Sequence, residues 1–277
     1  MPPVLINGKP GGAIAVTDRG LAYGDGVFET ISVADGAPRF WPRHRARLRD
    51  GCRKLAIAFD DWRALDEEVR RLAAGSGDAV VKVIVTRGGG ARGYRPPLPA
   101  KPTRIVAALP PPDYPDDFRR RGIAARFCRK RLADDPDLAG VKHLNRLEQV
   151  MARMEWRDEY QEGVMLDARD RVIEGTMSNL FTVEGGGLRT PLLDRCGVSG
   201  VMRGWIIEAC RRRGIPVQEA RLSREDLLRA DGVFFCNVLI RAWPVRHLEG
   251  ARDYDVQSVH GLLHDLLQRL PAAGAED

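Results

Sequence analysis

Apolar residues recur along this chain in two spacings, and the alternation between them predicts an α+β protein. Residues 4–8 and 11–16 read as two short strands around the turn-forming Asn7-Gly8 pair. Residues 27–33 alternate as a third strand and stop at Asp35-Gly36. Pro42 then opens a helix whose apolar positions Leu48, Cys52, Leu55 and Ala56 recur at helical spacing. A second helix over 62–74 carries Leu65, Val69 and Leu72 on one stripe. The β-rich run 80–86 leads into a glycine loop, 87–94, and 103–109 is a further strand.

Pro110-Pro111-Pro112 follows, within a Pro/Asp-rich stretch. Consecutive prolines fit neither a helix interior nor a central strand, so the chain is extended and stiff here. This places a small N-terminal α/β domain at 1–109, a linker at 110–120 and a larger C-terminal domain at 121–277. In the latter the pattern predicts a strand at 123–129 and a long helix at 144–160. Leu144, Leu147, Met151 and Met154 would form the core stripe of that helix. Strands at 164–166, 180–183 and 233–237 and helices at 200–213 and 256–270 complete the pattern.

Composition narrows the function classes. The 277 residues carry a net charge of +6, with 44% hydrophobic and 30% charged residues, the profile of an ordinary globular protein. No apolar run is long enough to span a bilayer, and the first residues lack a signal-peptide pattern, so the expected location is cytoplasmic with no membrane partner. The basic excess is arginine spread along the chain, with acidic residues interleaved and no nucleic-acid-binding motif. No nucleic-acid partner is therefore expected, and a positive field suits an anionic small-molecule substrate. Cys52, Cys128, Cys196, Cys210 and Cys236 form no CxxC pair, which suits reduced thiols. His260 and His264 stand four apart, but with no third ligand or HExxH pattern no metal is expected.

The most informative segment is Gly140-Val141-Lys142-His143-Leu144-Asn145-Arg146. It sets one lysine between a Pro/Asp/Gly-rich loop and the predicted helix. An amine held at such a junction and facing a cavity is suited to Schiff-base or proton-transfer chemistry, although most lysines are solvated surface charges. Residues 193–203 contain two glycines and run into a helix, whose first N–H groups can cradle a phosphate. That spacing serves a plain helix entry equally well. Glu174, between two short apolar strands, is costly to bury without a partner such as a protonated pyridine nitrogen. Taken alone, it reads better as a surface carboxylate in a turn.

Around these residues the chain resembles the aminodeoxychorismate lyases of the fold-type IV pyridoxal-phosphate enzymes, a group that includes branched-chain and D-amino-acid aminotransferases. The resemblance spans nearly the whole chain. It rests on Tyr23-Gly24-Asp25-Gly26-Val27-Phe28-Glu29-Thr30, His44 to Leu48, Thr86 to Gly88 with Arg92 to Tyr94, Lys142 to Leu147, Glu174 with Ser178 to Phe181, Gly197 to Arg203, and Asn237. The Gly-Asp-Gly block and the Glu174–Asn179 spacing belong to the whole group, whereas Lys142-His143-Leu144-Asn145-Arg146-Leu147 is particular to the lyases. The resemblance implies a two-domain α+β fold with a C-terminal pseudo-barrel, pyridoxal 5'-phosphate as cofactor, and a homodimer. It implies that Lys142 is the Schiff-base lysine and proton shuttle, and that Arg47, the N–H groups of Val201 and Met202, and Asn237 bind the cofactor phosphate. Glu174 would pair with the pyridine nitrogen and Val198 would pack on the ring. Phe28, Thr30, Arg92 and Tyr94 would line the substrate pocket. The reaction implied is conversion of 4-amino-4-deoxychorismate to 4-aminobenzoate and pyruvate, with an aminotransferase on the same scaffold as the alternative.

Overall fold

In a computed structural model, which describes residues 3–268, 270 and 272–274, the chain divides into two units. The first holds the chain to Pro112 together with Val141–Asn145, and the second holds Asp113–Gly140 and Arg146–Leu270. The domain limits expected from the proline run assigned 141–145 to the C-terminal half, but backbone pairing draws that segment back. Phe28 donates its N–H to the carbonyl of Lys142 (3.0 Å), and Leu144 donates to that of Gly26 (3.0 Å).

The first unit is built on a six-stranded sheet. Its elements are β1 (Val4–Ile6), β2 (Lys9–Pro10), α1 (Arg19–Tyr23), β3 (Gly26–Ala34), β4 (Ala37–Pro38), α2 (Trp41–Lys54), α3 (Trp62–Ala74), β5 (Ala79–Thr86) and β6 (Thr103–Leu109). The strands run in the order β2-β1-β6-β5-β3-β4. The expected strand over 11–16 does not form, because the Asn7-Gly8 hairpin closes at once onto Lys9–Pro10. Strand β3 shows why the period-2 reading works. Val27, Ile31 and Val33 are buried with Leu48, Leu65, Val69 and Val81 in one core, while Phe28 and Thr30 on the opposite face are half-buried. Each such aliphatic side chain contributes about 1.5–3 kcal/mol relative to exposure. Helix α3 is also tied to β6, since Arg104 reaches Glu68 at 2.7 Å and Asp61 at 2.9 Å.

The second unit comprises α4 (Asp117–Arg120), β7 (Ile123–Leu132), α5 (Leu147–Arg153), β8 (Glu162–Asp167), β9 (Val172–Gly175), β10 (Asn179–Glu184), β11 (Gly187–Pro191), α6 (Val201–Arg212), β12 (Val217–Ala220), α7 (Arg224–Arg229), β13 (Gly232–Asn237), β14 (Arg241–Leu248), β15 (Arg252–Asp253) and α8 (Val256–Leu267). Its sheet follows the order β12-β11-β10-β13-β14-β7-β8-β9, with β15 added to β14. Parallel β7–β8, β7–β14 and β11–β12 pairings sit among antiparallel ones. Two sheets of unequal size with packed helices make the α+β architecture implied by the sequence.

One element differs sharply from expectation. The helix predicted over 144–160 is α5, only seven residues long. Residues up to Leu144 are held extended by β3, and beyond Met154 the carbonyls of Trp156 and Arg157 accept from Arg153. Of the expected core stripe Leu144 is half-buried, and the rest is exposed, with Leu147 at 75% and Met154 at 78% accessibility. The face that packs carries Ala152, beside Trp156, Cys128 and Met165.

Candidate active site

Lys142 lies in a strand-like segment, not at a helix start. His143 pairs antiparallel with Val27, which fixes the direction of the neighbouring lysine. The pairing needs space at Gly26. A Cβ there would lie 2.6 Å from the Val85 carbonyl oxygen and 2.8 Å from Leu144 Cδ1. The Gly-Asp-Gly motif therefore serves close backbone approach beside the lysine. Between the glycines, Asp25 is held by Arg19 (2.8 Å) and Arg87 (2.7 Å). Burial raises its pKa, but the two guanidinium groups outweigh that and leave it below the usual carboxylate range.

The Lys142 ammonium stands 4.6 Å from the centre of the Phe28 ring, and that of Lys82 stands 5.5 Å from it. Thr30, two residues along the same face, pairs with Lys82 across the sheet. Phe28, Thr30 and Lys142 are thus brought to one face of β3. A cation over an aromatic face is worth about 0.5–2 kcal/mol, depending on desolvation.

Behind that face, Glu29 occupies the core row of β3 and is fully buried. Arg47 grips its carboxylate through Nε (2.8 Å) and Nη2 (2.5 Å), and His44 Nδ1 lies 2.6 Å from Oε2. Burial pushes the Glu29 pKa up, but Arg47 and then His44 more than reverse this and hold it at about 2. Burial lowers the pKa of His44, and its contact with Glu29 does not restore it. The imidazole is therefore neutral, and its Nδ1–H donates to the carboxylate. Its Nε2 is buried without a hydrogen-bond partner among the described residues. Arg47, expected at a phosphate, is seen here to lock strand to helix. Glu29 and His44 were not singled out from the sequence. Their signal was a carboxylate on the apolar face of a strand, followed by His and Arg three apart on a helix.

In the second unit, Glu174 is buried in β9 and not in a turn. Its Oε2 accepts from the Val198 N–H at 2.7 Å. The loop beyond runs through Gly200 into α6, which no side chain caps. The first bond of the helix joins Gly204 N–H to the Gly200 carbonyl, so the Val201 and Met202 N–H groups have no acceptor within the helix. Arg203 anchors this turn: its guanidinium reaches Thr190, the Pro191 carbonyl and Glu219 at 2.8–3.2 Å. A Cβ on Gly200 would come within 1.9 Å of Asn179 Oδ1, and Asn179 Nδ2 donates to the Val198 carbonyl at 2.9 Å. Glu174 on β9 is thus bonded to the loop that carries Val198 and runs into the helix entry at Val201 and Met202.

Asn179 is the amide at this loop, whereas Asn237 is not. Asn237 Oδ1 accepts from the Leu239 and Ile240 N–H groups, and its Nδ2 donates to the Met177 carbonyl. The expectation of Asn237 at the phosphate gives way to a turn-closing role, because its amide is committed to the Leu239 and Ile240 N–H groups and to the Met177 carbonyl. The Met177 loop is also held by Glu162, which is fully buried. Its carboxylate accepts from Thr176 N–H and Oγ1, Ser178 Oγ and the Gly163 N–H at 2.5–2.9 Å. Nothing in the sequence marked Glu162, a lone acid before an apolar run.

Arg92 and Tyr94 are exposed on the loop between β5 and β6. Arg19 binds the carbonyls of Gly93 (3.0 Å) and Tyr94 (2.9 Å), and Tyr23 packs on Tyr94 with ring centres 5.5 Å apart. The loop is thus fastened through its backbone.

A family model described as amino-transferase class IV matches residues 26–248. An aminodeoxychorismate lyase of Vibrio harveyi is 36% identical over 241 residues, 87% of this chain and 89% of that protein. A putative branched-chain-amino-acid aminotransferase of Methanocaldococcus jannaschii is 32% identical over 255 residues, 89% and 88% of the two chains. The crystal structure of 4-amino-4-deoxychorismate lyase from Pseudomonas aeruginosa superposes with a TM-score of 0.91 at 47% identity, covering 96% of this chain and 99% of that one.

Proposed function

The chain belongs to the class IV aminotransferase family, and from that premise we propose that it is a pyridoxal-phosphate-dependent lyase. It converts 4-amino-4-deoxychorismate to 4-aminobenzoate and pyruvate, a step toward folate. The observation that carries this reading is the 47% identity to the Pseudomonas aeruginosa lyase over almost the full length of both chains. The 32% identical aminotransferase relative is the weaker match.

The residues fit the cofactor. An uncapped helix entry, a glycine whose Cβ would strike Asn179, and a buried carboxylate beside that loop suit a phosphate and a protonated ring nitrogen. Arg47 and the Val201 and Met202 N–H groups bind the phosphate, Glu174 faces the ring nitrogen and Val198 packs on the ring. Asn237 contributes by holding the Met177 loop. When bound, the cofactor supplies the electron sink for charge left by proton removal. Lys142 Nζ would hold the cofactor and, once freed, would remove the proton from the amine-bearing ring carbon of the substrate. Phe28 keeps that amine against an aromatic face, and Thr30 lines the same side. Arg92 and Tyr94 bind the substrate carboxylates. The C–O bond to the enolpyruvyl group breaks as the ring becomes aromatic, and a proton ends on the methylene carbon of the leaving pyruvate. Substrate and products are isomeric, so no oxidant or water is consumed.

Incubation with 4-amino-4-deoxychorismate is expected to yield 4-aminobenzoate and pyruvate in equal amounts. Rapid transamination of D-alanine or a branched-chain amino acid with 2-oxoglutarate, without aminobenzoate, would overturn the lyase reading. Borohydride should bleach the visible band of the purified protein and fix the cofactor to it. Lys142→Ala should abolish that trapping, and a variant that is still trapped refutes the lysine's role.

The protein acts as a homodimer in the cytoplasm. The exposed apolar stripe of Leu147, Val150, Met151 and Met154 suits coverage by a second copy, and five buried, unpaired cysteines suit a reducing compartment. A monomer mass in sedimentation equilibrium would overturn the dimer.

A further inference from the structure

We propose that Arg19 is a positioning residue which, oriented by Asp25, holds the loop carrying Arg92 and Tyr94 in register with the Lys142 segment. This rests on the reading of that loop as the binder of the substrate carboxylates. Arg19 begins α1 and is 4% exposed. A guanidinium so buried is costly unless its donors are satisfied, and an apolar residue serves packing at least as well. What the arginine adds is direction. Each of its three nitrogens is bonded: Nε to Asp25 at 2.8 Å, Nη1 to the Gly93 carbonyl at 3.0 Å and Nη2 to the Tyr94 carbonyl at 2.9 Å. One planar fork thus grips two successive carbonyls of the loop, which a point charge such as an ammonium cannot do.

Both ends of this arm are fixed. At its base, the Asp18 carboxylate accepts from the Gly20 N–H (2.8 Å), Thr86 Oγ1 (3.0 Å) and Thr103 Oγ1 (2.8 Å), which pins the start of α1 to β5 and β6. At its tip, the Gly93 N–H donates to Tyr23 Oη at 3.2 Å, and the Tyr23 ring packs against both the Arg19 guanidinium and Tyr94. Asp25 supplies the link toward the lysine. Its carboxylate also accepts from Arg87 Nε (2.7 Å) and Nη2 (2.9 Å), and Arg87 in turn reaches the carbonyls of Leu55 and Ala56 at 2.6 and 2.7 Å. Burial works against the Asp25 charge, but Arg87 and Arg19 hold its pKa below the usual carboxylate range. The next residue, Gly26, accepts through its carbonyl from the Leu144 N–H, two residues beyond Lys142. One carboxylate therefore stands between the loop that carries Arg92 and Tyr94 and the segment that carries Lys142. A substrate carboxylate meets a loop whose place is already set, which lowers the ordering cost of binding.

The test is steady-state kinetics of the holoenzyme with 4-amino-4-deoxychorismate, alongside amide hydrogen exchange. Arg19→Met is expected to raise KM by about tenfold, the scale of one charge-assisted hydrogen bond, with kcat little changed. Exchange at the Gly90 and Gly93 amides should quicken, while the Phe28 amide, bonded to the Lys142 carbonyl, stays protected. Arg92→Met, which removes a side chain of the loop itself, should raise KM by about a hundredfold. The double variant should do no worse than Arg92→Met alone, because Arg19 acts through the loop. Additive losses in the double variant, or faster exchange at Phe28 as well as Gly93, would show that Arg19 only supports the fold and overturn the proposal. Unchanged KM in both Arg92→Met and Tyr94→Phe would instead remove the reading of the loop itself, and the proposal with it. Should Arg19→Met fail to fold, Arg19→Lys keeps the charge but cannot span two carbonyls. It should raise KM by a smaller factor with kcat unchanged, and an unchanged KM would again overturn the proposal.

Discussion

Glu29 and Glu162 are both fully buried carboxylates, and the protein accommodates them in opposite ways. Glu29 is met by a guanidinium and a neutral imidazole, so one full charge opposes another. Glu162 is met by backbone N–H groups and hydroxyls of Gly163, Thr176 and Ser178, with no cation among these bonds. The first arrangement joins a strand to a helix and fixes the orientation of one side chain. The second wraps a loop around an acid and fixes the backbone between Glu174 and Asn179. A buried charge can be offset by one strong partner or by several dipoles. The choice decides whether its removal strands a charge or merely unfastens a loop.

That contrast can be broken experimentally. Glu29→Leu leaves the Arg47 charge without its partner in a largely buried setting and should cost about 3–5 kcal/mol, measured by urea denaturation. A loss under 1 kcal/mol would mean that the pair is not stabilising. The second effect is pH-dependent. Glu29 is held at a pKa of about 2, below the ordinary range of a glutamate, so its contribution is fully present above pH ~4.5. It should disappear, on the order of 3 kcal/mol, as pH falls toward 2. Urea midpoints for the parent and Glu29→Gln should converge across that window, and parallel curves would contradict the assignment. Smallest is Glu162→Gln. The amide keeps one acceptor oxygen, so a loss of about 1–3 kcal/mol is expected. The amide protons of Thr176 and Met177 should then exchange faster, while those of α2 are unaffected. Faster exchange in α2 would show that the two acids are not independent.

Much of the fold was legible because local pattern and burial agree. Helix α3 and strand β6 fall at the expected limits, 62–74 and 103–109, since each has a single apolar face and clear punctuation. Glu174, Val198, Val201 and Met202 were singled out as motifs, and the structure bonds Glu174 to the Val198 loop that runs into the helix entry at Val201 and Met202. Helix α5 was not legible. Leu147, Met151 and Met154 have the spacing of a core stripe, but spacing cannot say what covers a face. Glu29, His44, Asn179 and Glu162 were passed over because each gains its role from partners distant in the chain.

What the sequence by itself determined was the place of the strands and helices with one clear apolar face, the family resemblance and the residue types that chemistry needs. Those follow from periodicity and from short motifs whose parts are neighbours along the chain. Only the tertiary structure decided that residues 141–145 belong with β3, that Arg47 is held by Glu29, and that Asn179 and not Asn237 lies at the helix entry. Each depends on a hydrogen bond between segments far apart in sequence, and such a bond is specified by where the backbone brings two groups together.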